Sequence, residues 1–270
     1  MKRAVLFLLL NLTICAIYAQ SQPVSQRLDA LLNDEILKTS EVGITVFDLT
    51  TGESLYRYQD EKLYRPASIE KVITSVTALA RLGADYTMDT HLRYTGKIEN
   101  DTLKGNLYLI GGFDPELMDE DLDSLVAAVE AQGIRYVTDT IAADVSMIDS
   151  VYWGPGWSWD DTPYSFQPYL SPLMLNRGCV DVSVSPAQKD SLPAVLCTPV
   201  SDYYRICNRA VSRNPQAGKL EITRNWLSNG NVITVSGNVS RPYTGQVNIY
   251  TSKDFFFHTF IQRLKEKGIT

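Results

Sequence analysis

Histidine is nearly absent from this 270-residue chain: His91 and His258 stand far apart. Its four cysteines contain no C-x-x-C pair, so neither the residue types nor the spacing of a zinc-type centre is present, and no metal is expected. Basic residues are also short: Lys and Arg number 25 against 31 Asp and Glu, a formal charge of -6. Without a basic stripe, a nucleic-acid partner is not expected. Beyond the N-terminus there is no apolar run long enough to span a bilayer. Internal repeats and low-complexity linkers are missing too. The Gly111-Gly112 turn is not followed by Lys-Ser/Thr, so it is not a phosphate loop. What remains, at 44% hydrophobic residues, suits one or two globular domains with an ordinary core.

The N-terminus itself reads as an export signal. Lys2-Arg3 precede an apolar run from Ala4 to Tyr18, and Ile17-Tyr18-Ala19 is a plausible cleavage site after Ala19. The run is short for a retained anchor, and a bulky Ile14 before Cys15 is poor for a lipoprotein signal. The expected compartment is the periplasm. Removal of residues 1–19 leaves Cys179, Cys197 and Cys207. Cys197 and Cys207 could pair across a short loop, or all three could be free.

Val24, Leu28, Leu31, Leu32 and Ile36 recur at helical spacing and predict a first helix over 23–38. An alternating run, Val42–Asp48, a Thr51-Gly52 turn and Leu55–Tyr58 then predict a hairpin. Next comes Pro66-Ala67-Ser68-Ile69-Glu70-Lys71, opening an amphipathic stretch in which Ile69, Val72, Ile73, Val76, Leu79 and Ala80 share a face up to a stop at Gly83. Ser68 and Lys71 thereby meet at i and i+3. A serine hydroxyl needs a base to become a nucleophile, and a lysine can be that base when its ammonium form is disfavoured. The helix N-terminus also favours negative charge developing near Ser68. Taken alone, the tetrad reads more readily as a surface helix with a capping Ser and a solvated Lys; the Pro-Ala-Ser-x-x-Lys context after a Thr-Gly hairpin shifts the balance.

From about residue 88 to 245 short strands predominate: His91–Tyr94, Asn106–Ile110, Tyr136–Ala142, Val180–Val184, Leu220–Thr223 and Val232–Val235, with hairpin turns at Asn100-Asp101 and Asn229-Gly230. One helix is predicted over 118–132, and the acidic run Asp119–Asp123 at its start reads as a solvated first turn. Asp114 reads as the start of that helix. Trp153-Gly-Pro-Gly-Trp157-Ser-Trp159-Asp160-Asp161 is an aromatic loop with two acids, either packed on the domain or forming a binding wall. Ser236-Gly237-Asn238 reads as a turn. A strand or extended segment at Gln246–Tyr250 leads to a closing helix, Asp254–Lys267, with Phe256, Phe257, Phe260, Ile261 and Leu264 as its apolar stripe.

The order Pro-Ala-Ser-x-x-Lys, then Gly105-Asn-Leu-Tyr-Leu-Ile-Gly-Gly-Phe-Asp-Pro115, then Pro155-Gly-Trp-Ser-Trp-Asp-Asp161 resembles the D-alanyl-D-alanine carboxypeptidase/endopeptidase family, the class C low-molecular-mass penicillin-binding proteins. The resemblance runs from about residue 24 to the end. It implies an α+β fold: a penicillin-binding/β-lactamase-like transpeptidase domain, incomplete here, carrying a large and mainly β insertion after the serine helix. The implied layout is 20–87 for the first part, 88–245 for the insertion, and 246–270 for the return to the transpeptidase-like domain. It implies Ser68 as acylated nucleophile, Lys71 as general base, and Asp161 and Phe166 as contacts to the side chain of the stem peptide's diamino acid. Peptidoglycan stem peptides are the implied substrates and β-lactams covalent inhibitors, with no cofactor. The family's Ser-x-Asn from a helical region and its Lys-Thr-Gly are not found in this chain. The chain therefore reads as the N-terminal portion of a longer protein, inactive or slow by itself. A non-catalytic wall-binding module is the rival from another class; a serine β-lactamase, which lacks such an insertion, is the enzymatic one.

Overall fold

A computed structural model describes residues 23–270, so the expected signal segment lies outside the described residues. The chain divides between Tyr86 and Thr87 into two units.

In the first unit Asn33-Asp34 interrupts the predicted opening helix. It becomes α1 (Val24–Leu32) and a single turn, α2 (Glu35–Lys38), because the Asp34 carboxylate accepts from the Ile36 N–H and starts a new helix. The hairpin forms as β1 (Ile44–Asp48) and β2 (Glu53–Tyr58), with Ile44 opposite Tyr58 and a bulge between Val46 and Phe47. Tyr56 Oη donates to Asp29 Oδ1 at 2.6 Å, tying the hairpin to α1; that hydrogen bond pushes the phenol up to about 12. After a 3-10 turn at Ala67–Ile69, α3 runs over Glu70–Leu82 and stops at Gly83, whose φ of 86 is one that residues with a Cβ resist. No side chain of residues 23–86 is buried.

The second unit contains twelve strands and two helices in chain order: β3 (His91–Tyr94), β4 (Lys97–Glu99), β5 (Thr102–Lys104), β6 (Leu107–Ile110), α4 (Asp119–Ala131), β7 (Tyr136–Val137), β8 (Ile141–Asp144), β9 (Cys179–Ser185), β10 (Ala194–Thr198), β11 (Arg205–Ser212), β12 (Glu221–Arg224), β13 (Val232–Val239), β14 (Tyr243–Asn248) and α5 (Ser252–Glu266). They make four three-stranded sheets, ordered β3-β6-β8, β4-β5-β7, β10-β9-β14 and β11-β13-β12. The predicted strand Tyr136–Ala142 is split between two of them, β7 beside β5 and β8 beside β6. The mixture of helices and small sheets is the α+β class expected.

Several expectations are corrected here. Ser236-Gly237-Asn238 is no turn: it lies inside β13, between β11 and β12, with Ser236 opposite both Arg209 and Glu221. Gly237 is needed because its φ is 84 and a Cβ would fall 2.0 Å from the Lys219 carbonyl oxygen. Residues 246–270 do not leave the second unit. Val247 and Asn248 pair with β9, and α5 buries Phe255, Phe256, Phe260 and Leu264 in the same core that α4 joins through Leu122, Val126 and Val129. Each such apolar side chain contributes about 1.5–3 kcal/mol on burial, enough to decide which unit the helix joins. The acidic run is more than a solvated turn, since Arg263 of α5 pairs with Asp119 at 2.8 Å and with Asp123. Asp114 does not begin α4. Its carboxylate accepts from the Glu116 N–H, and the helix starts five residues later. Among the described residues Cys179, Cys197 and Cys207 are free thiols, Cys197 on β10 and Cys207 on β11. Burial pushes the Cys179 thiol up to about 12 and that of Cys197 to about 11, so both are unreactive thiols.

Candidate active site

Pro66 fixes its φ at -71, and Ala67 sits in the left-handed region at φ 46, so the backbone is re-aimed just before Ser68. The 3-10 turn then delivers Ser68 one helical step before Lys71. Lys71 Nζ and Ser68 Oγ are 3.0 Å apart, within hydrogen-bond reach. Both side chains are exposed, as is the apolar face of α3 that follows them. The pair meets the distance that proton transfer between a nucleophile and its base requires.

Asp160, Asp161 and Phe166 lie in the second unit, on a loop that the Trp153–Trp159 stretch leads into. The tryptophans pack on their own unit: Trp153 contacts Trp157 at 5.4 Å and Tyr169 at 5.0 Å, and Trp159 contacts Trp226 at 4.9 Å between ring centroids. Asp161 closes a 3-10 turn (Trp159–Asp161) and its carbonyl accepts from the Tyr164 N–H. Phe166 stacks on Tyr164 with an 11° interplanar angle and is 70% exposed, so its ring is available to a ligand. Among the described residues the carboxylates of Asp160 and Asp161 form no ion pair.

The glycine-rich motif also finds its reason. A Cβ on Gly111 would lie 2.5 Å from the Pro172 backbone, and one on Gly112 2.1 Å from the Asp89 carbonyl oxygen. The two glycines let three chain segments meet at van der Waals distance, and no chemistry is required of them. A cavity of about 600 Å³ nearby is lined by Tyr108, Asp144, Tyr152, Tyr169, Thr251 and Lys253, none of them a residue singled out from the sequence for chemistry. Among the described residues no group of His, Cys, Asp and Glu is placed to hold a metal ion, and no helix is long and apolar enough to cross a membrane.

Comparison with known proteins identifies the lineage. The profile of the D-Ala-D-Ala carboxypeptidase 3 (S13) family matches residues 24–270. The chain belongs to this family. A D-alanyl-D-alanine carboxypeptidase of Actinomadura sp. (strain R39) is 30% identical over 262 residues, covering 93% of this chain and 48% of that protein. The D-alanyl-D-alanine carboxypeptidase DacB of Haemophilus influenzae is 28% identical over 169 residues, 60% of this chain and 35% of the relative. The crystal structure of penicillin binding protein 4 (dacB) from H. influenzae superposes with a TM-score of 0.67 at 24% identity, over 84% of this chain and 51% of that one. The same protein complexed with a β-lactam superposes at 0.60. The chain thus spans about half the length, or less, of the curated relatives it matches. The superpositions show a shared fold with the H. influenzae protein over the matched region.

What sequence reasoning missed is the framework under the acidic loop: Arg224, Asn248 and Gln167, all buried. One signal was present. On β12 the alternation puts Arg224 on the same face as Ile222, a cation where an apolar side chain belongs.

Proposed function

We propose that the protein of which this chain forms part is a serine-type D-Ala-D-Ala carboxypeptidase/endopeptidase of the periplasm, acting on peptidoglycan stem peptides through an acyl-enzyme. The observation that carries the reading is the 3.0 Å approach of Lys71 Nζ to Ser68 Oγ at the mouth of α3, in a chain of the S13 family. Lys71, as the free amine, takes the hydroxyl proton while Ser68 Oγ attacks the carbonyl carbon of the penultimate D-Ala. The tetrahedral oxyanion is met by the Ser68 backbone N–H and by the positive end of α3. The C–N bond breaks, the leaving amine receives the proton, and water releases the acyl group with Lys71 again as base. Asp161 and Phe166 receive the cationic side chain of the stem's diamino acid, the carboxylate by charge and the ring by apolar contact. A β-lactam acylates the same hydroxyl, and its ring opening keeps the leaving group tethered.

The test uses the full reading frame. Incubated with a fluorescent penicillin, the protein is expected to gain one β-lactam mass on the peptide containing Ser68. Ser68→Ala is expected to gain none, and Lys71→Ala to acylate at least about 100-fold more slowly. An unlabelled wild-type protein that sediments with cell wall would overturn the enzymatic reading in favour of a binding module.

A further inference from the structure

The largest fully buried side chain of the described residues is a cation, Arg224 at the end of β12. Taking a guanidinium out of water is costly unless its N–H groups are satisfied, and a carboxylate is the usual partner. Among the described residues Arg224 has no ion-pair partner. Its contacts are neutral. Nε donates to Asn248 Oδ1 at 2.9 Å and Nη1 to the Gly230 carbonyl at 3.1 Å, while Nη2 reaches the Thr162 carbonyl at 3.5 Å. The guanidinium carbon lies 5.8 Å from the centroid of the Tyr169 ring.

The contacts continue into the loop. Asn248 Nδ2 donates to the Gln167 carbonyl at 2.8 Å, and its backbone N–H to the Pro163 carbonyl at 3.3 Å. Gln167 Nε2 in turn donates to the Ser158 carbonyl at 2.7 Å. Four carbonyls of residues 158–167 are therefore held in one connected network: Thr162 by Arg224 itself, Pro163 and Gln167 by Asn248, and Ser158 by Gln167. Burial removes competing water, so such a network is stiffer than its separate bonds would be in solvent. Between the fastened points stand Asp160, Asp161 and Phe166, whose side chains project from a fixed backbone. A fixed backbone that presents carboxylates without an ion pair among the described residues, and the exposed ring of Phe166, is what a recognition loop requires.

We infer that Arg224 is a positioning residue for recognition of the substrate's side chain. Through Thr162 and Asn248 it sets the path of residues 158–167 and hence where Asp161 and Phe166 are presented. The inference rests on the reading that Asp161 meets a cationic diamino-acid side chain.

The experiment uses the full-length protein and two peptides ending in Lys-D-Ala-D-Ala, one with a free ε-amine and one with that amine acetylated. The readout is the ratio of their kcat/KM values, per active enzyme titrated with a penicillin. The wild type is expected to favour the free amine. Arg224→Met is expected to cut that preference about tenfold, through a raised KM for the free-amine peptide, because a displaced loop misplaces the carboxylate. Arg224→Lys is expected to restore only part of it, since one ammonium lacks the planar fork that reaches Asn248, Gly230 and Thr162 together. Gln167→Ala, a milder cut at the Ser158 tie, serves if Arg224→Met does not fold, and is expected to lower the ratio in the same sense. A folded Arg224→Met, or failing that a folded Gln167→Ala, with the wild-type ratio overturns the inference when Asp161→Asn has collapsed that ratio. If neither Asp161→Asn nor Asp160→Asn alters the ratio, the underlying reading of the loop is overturned, and this inference with it.

Discussion

Residues 23–86 and 87–270 draw on the same kinds of residue and use them in opposite ways. In the first, α3 aligns Val72, Ile73, Val76 and Leu79 along one face, and every one of them is more than half exposed. In the second, α5 aligns Phe256, Phe260 and Leu264 in the same period, and all three are buried. Helical periodicity therefore reports that a face is apolar without reporting what covers it. The difference also separates two tasks. The Ser68–Lys71 geometry is local and needs only one turn of helix. The acidic loop depends on β12, β14 and their side chains, with partners 62 and 81 positions apart in sequence.

Substitutions can test how deep this contrast runs. The largest effect is expected in the second unit: Phe260→Ala in the 270-residue chain should destabilise it by about 3–5 kcal/mol, read as a lower urea midpoint of the β13 amides by hydrogen exchange. A loss below about 1 kcal/mol would mean that α5 is not part of that core. Gly237→Ala should cost about 1–3 kcal/mol in the same assay, since alanine must adopt the left-handed φ and its Cβ meets the Lys219 carbonyl. The smallest effect belongs to α3. Val76→Ala should change protection of the residue 70–82 amides by no more than about 0.5 kcal/mol, with alanine's better helix propensity favouring a slight gain. A loss of several kcal/mol there would erase the comparison, because it would show the face to be covered.

How much of this was legible in the sequence follows the range of the interactions. The stop at Gly83, the strand His91–Tyr94, the helix at 119–131 and the Ser68–Lys71 meeting are all determined within a few residues, and they were readable. β11 (Arg205–Ser212) was not. It is polar at Arg205, Asn208 and Arg209, and its parallel partner β13 lies 27 residues further along at Val232. Ser236-Gly237-Asn238 has turn composition, yet pairing with β11 carries it through β13, with Gly237 supplying the left-handed φ on the way. The closing helix displayed its stripe but not its destination. Asp161 and Phe166 were placed by family resemblance, while the cation beneath them was overlooked because its partners at Thr162 and Asn248 are distant in sequence.

The fastening at Arg224 has one more consequence. Neither the guanidinium nor the amides and carbonyls it grips gain or lose a proton anywhere between mild acid and mild alkali. The Arg263 clamp on Asp119 is of another kind, since burial pushes that carboxyl above its ordinary value and acid neutralises it. On acidification the second unit would thus keep the shape of its acidic loop after that carboxylate-dependent tie had let go.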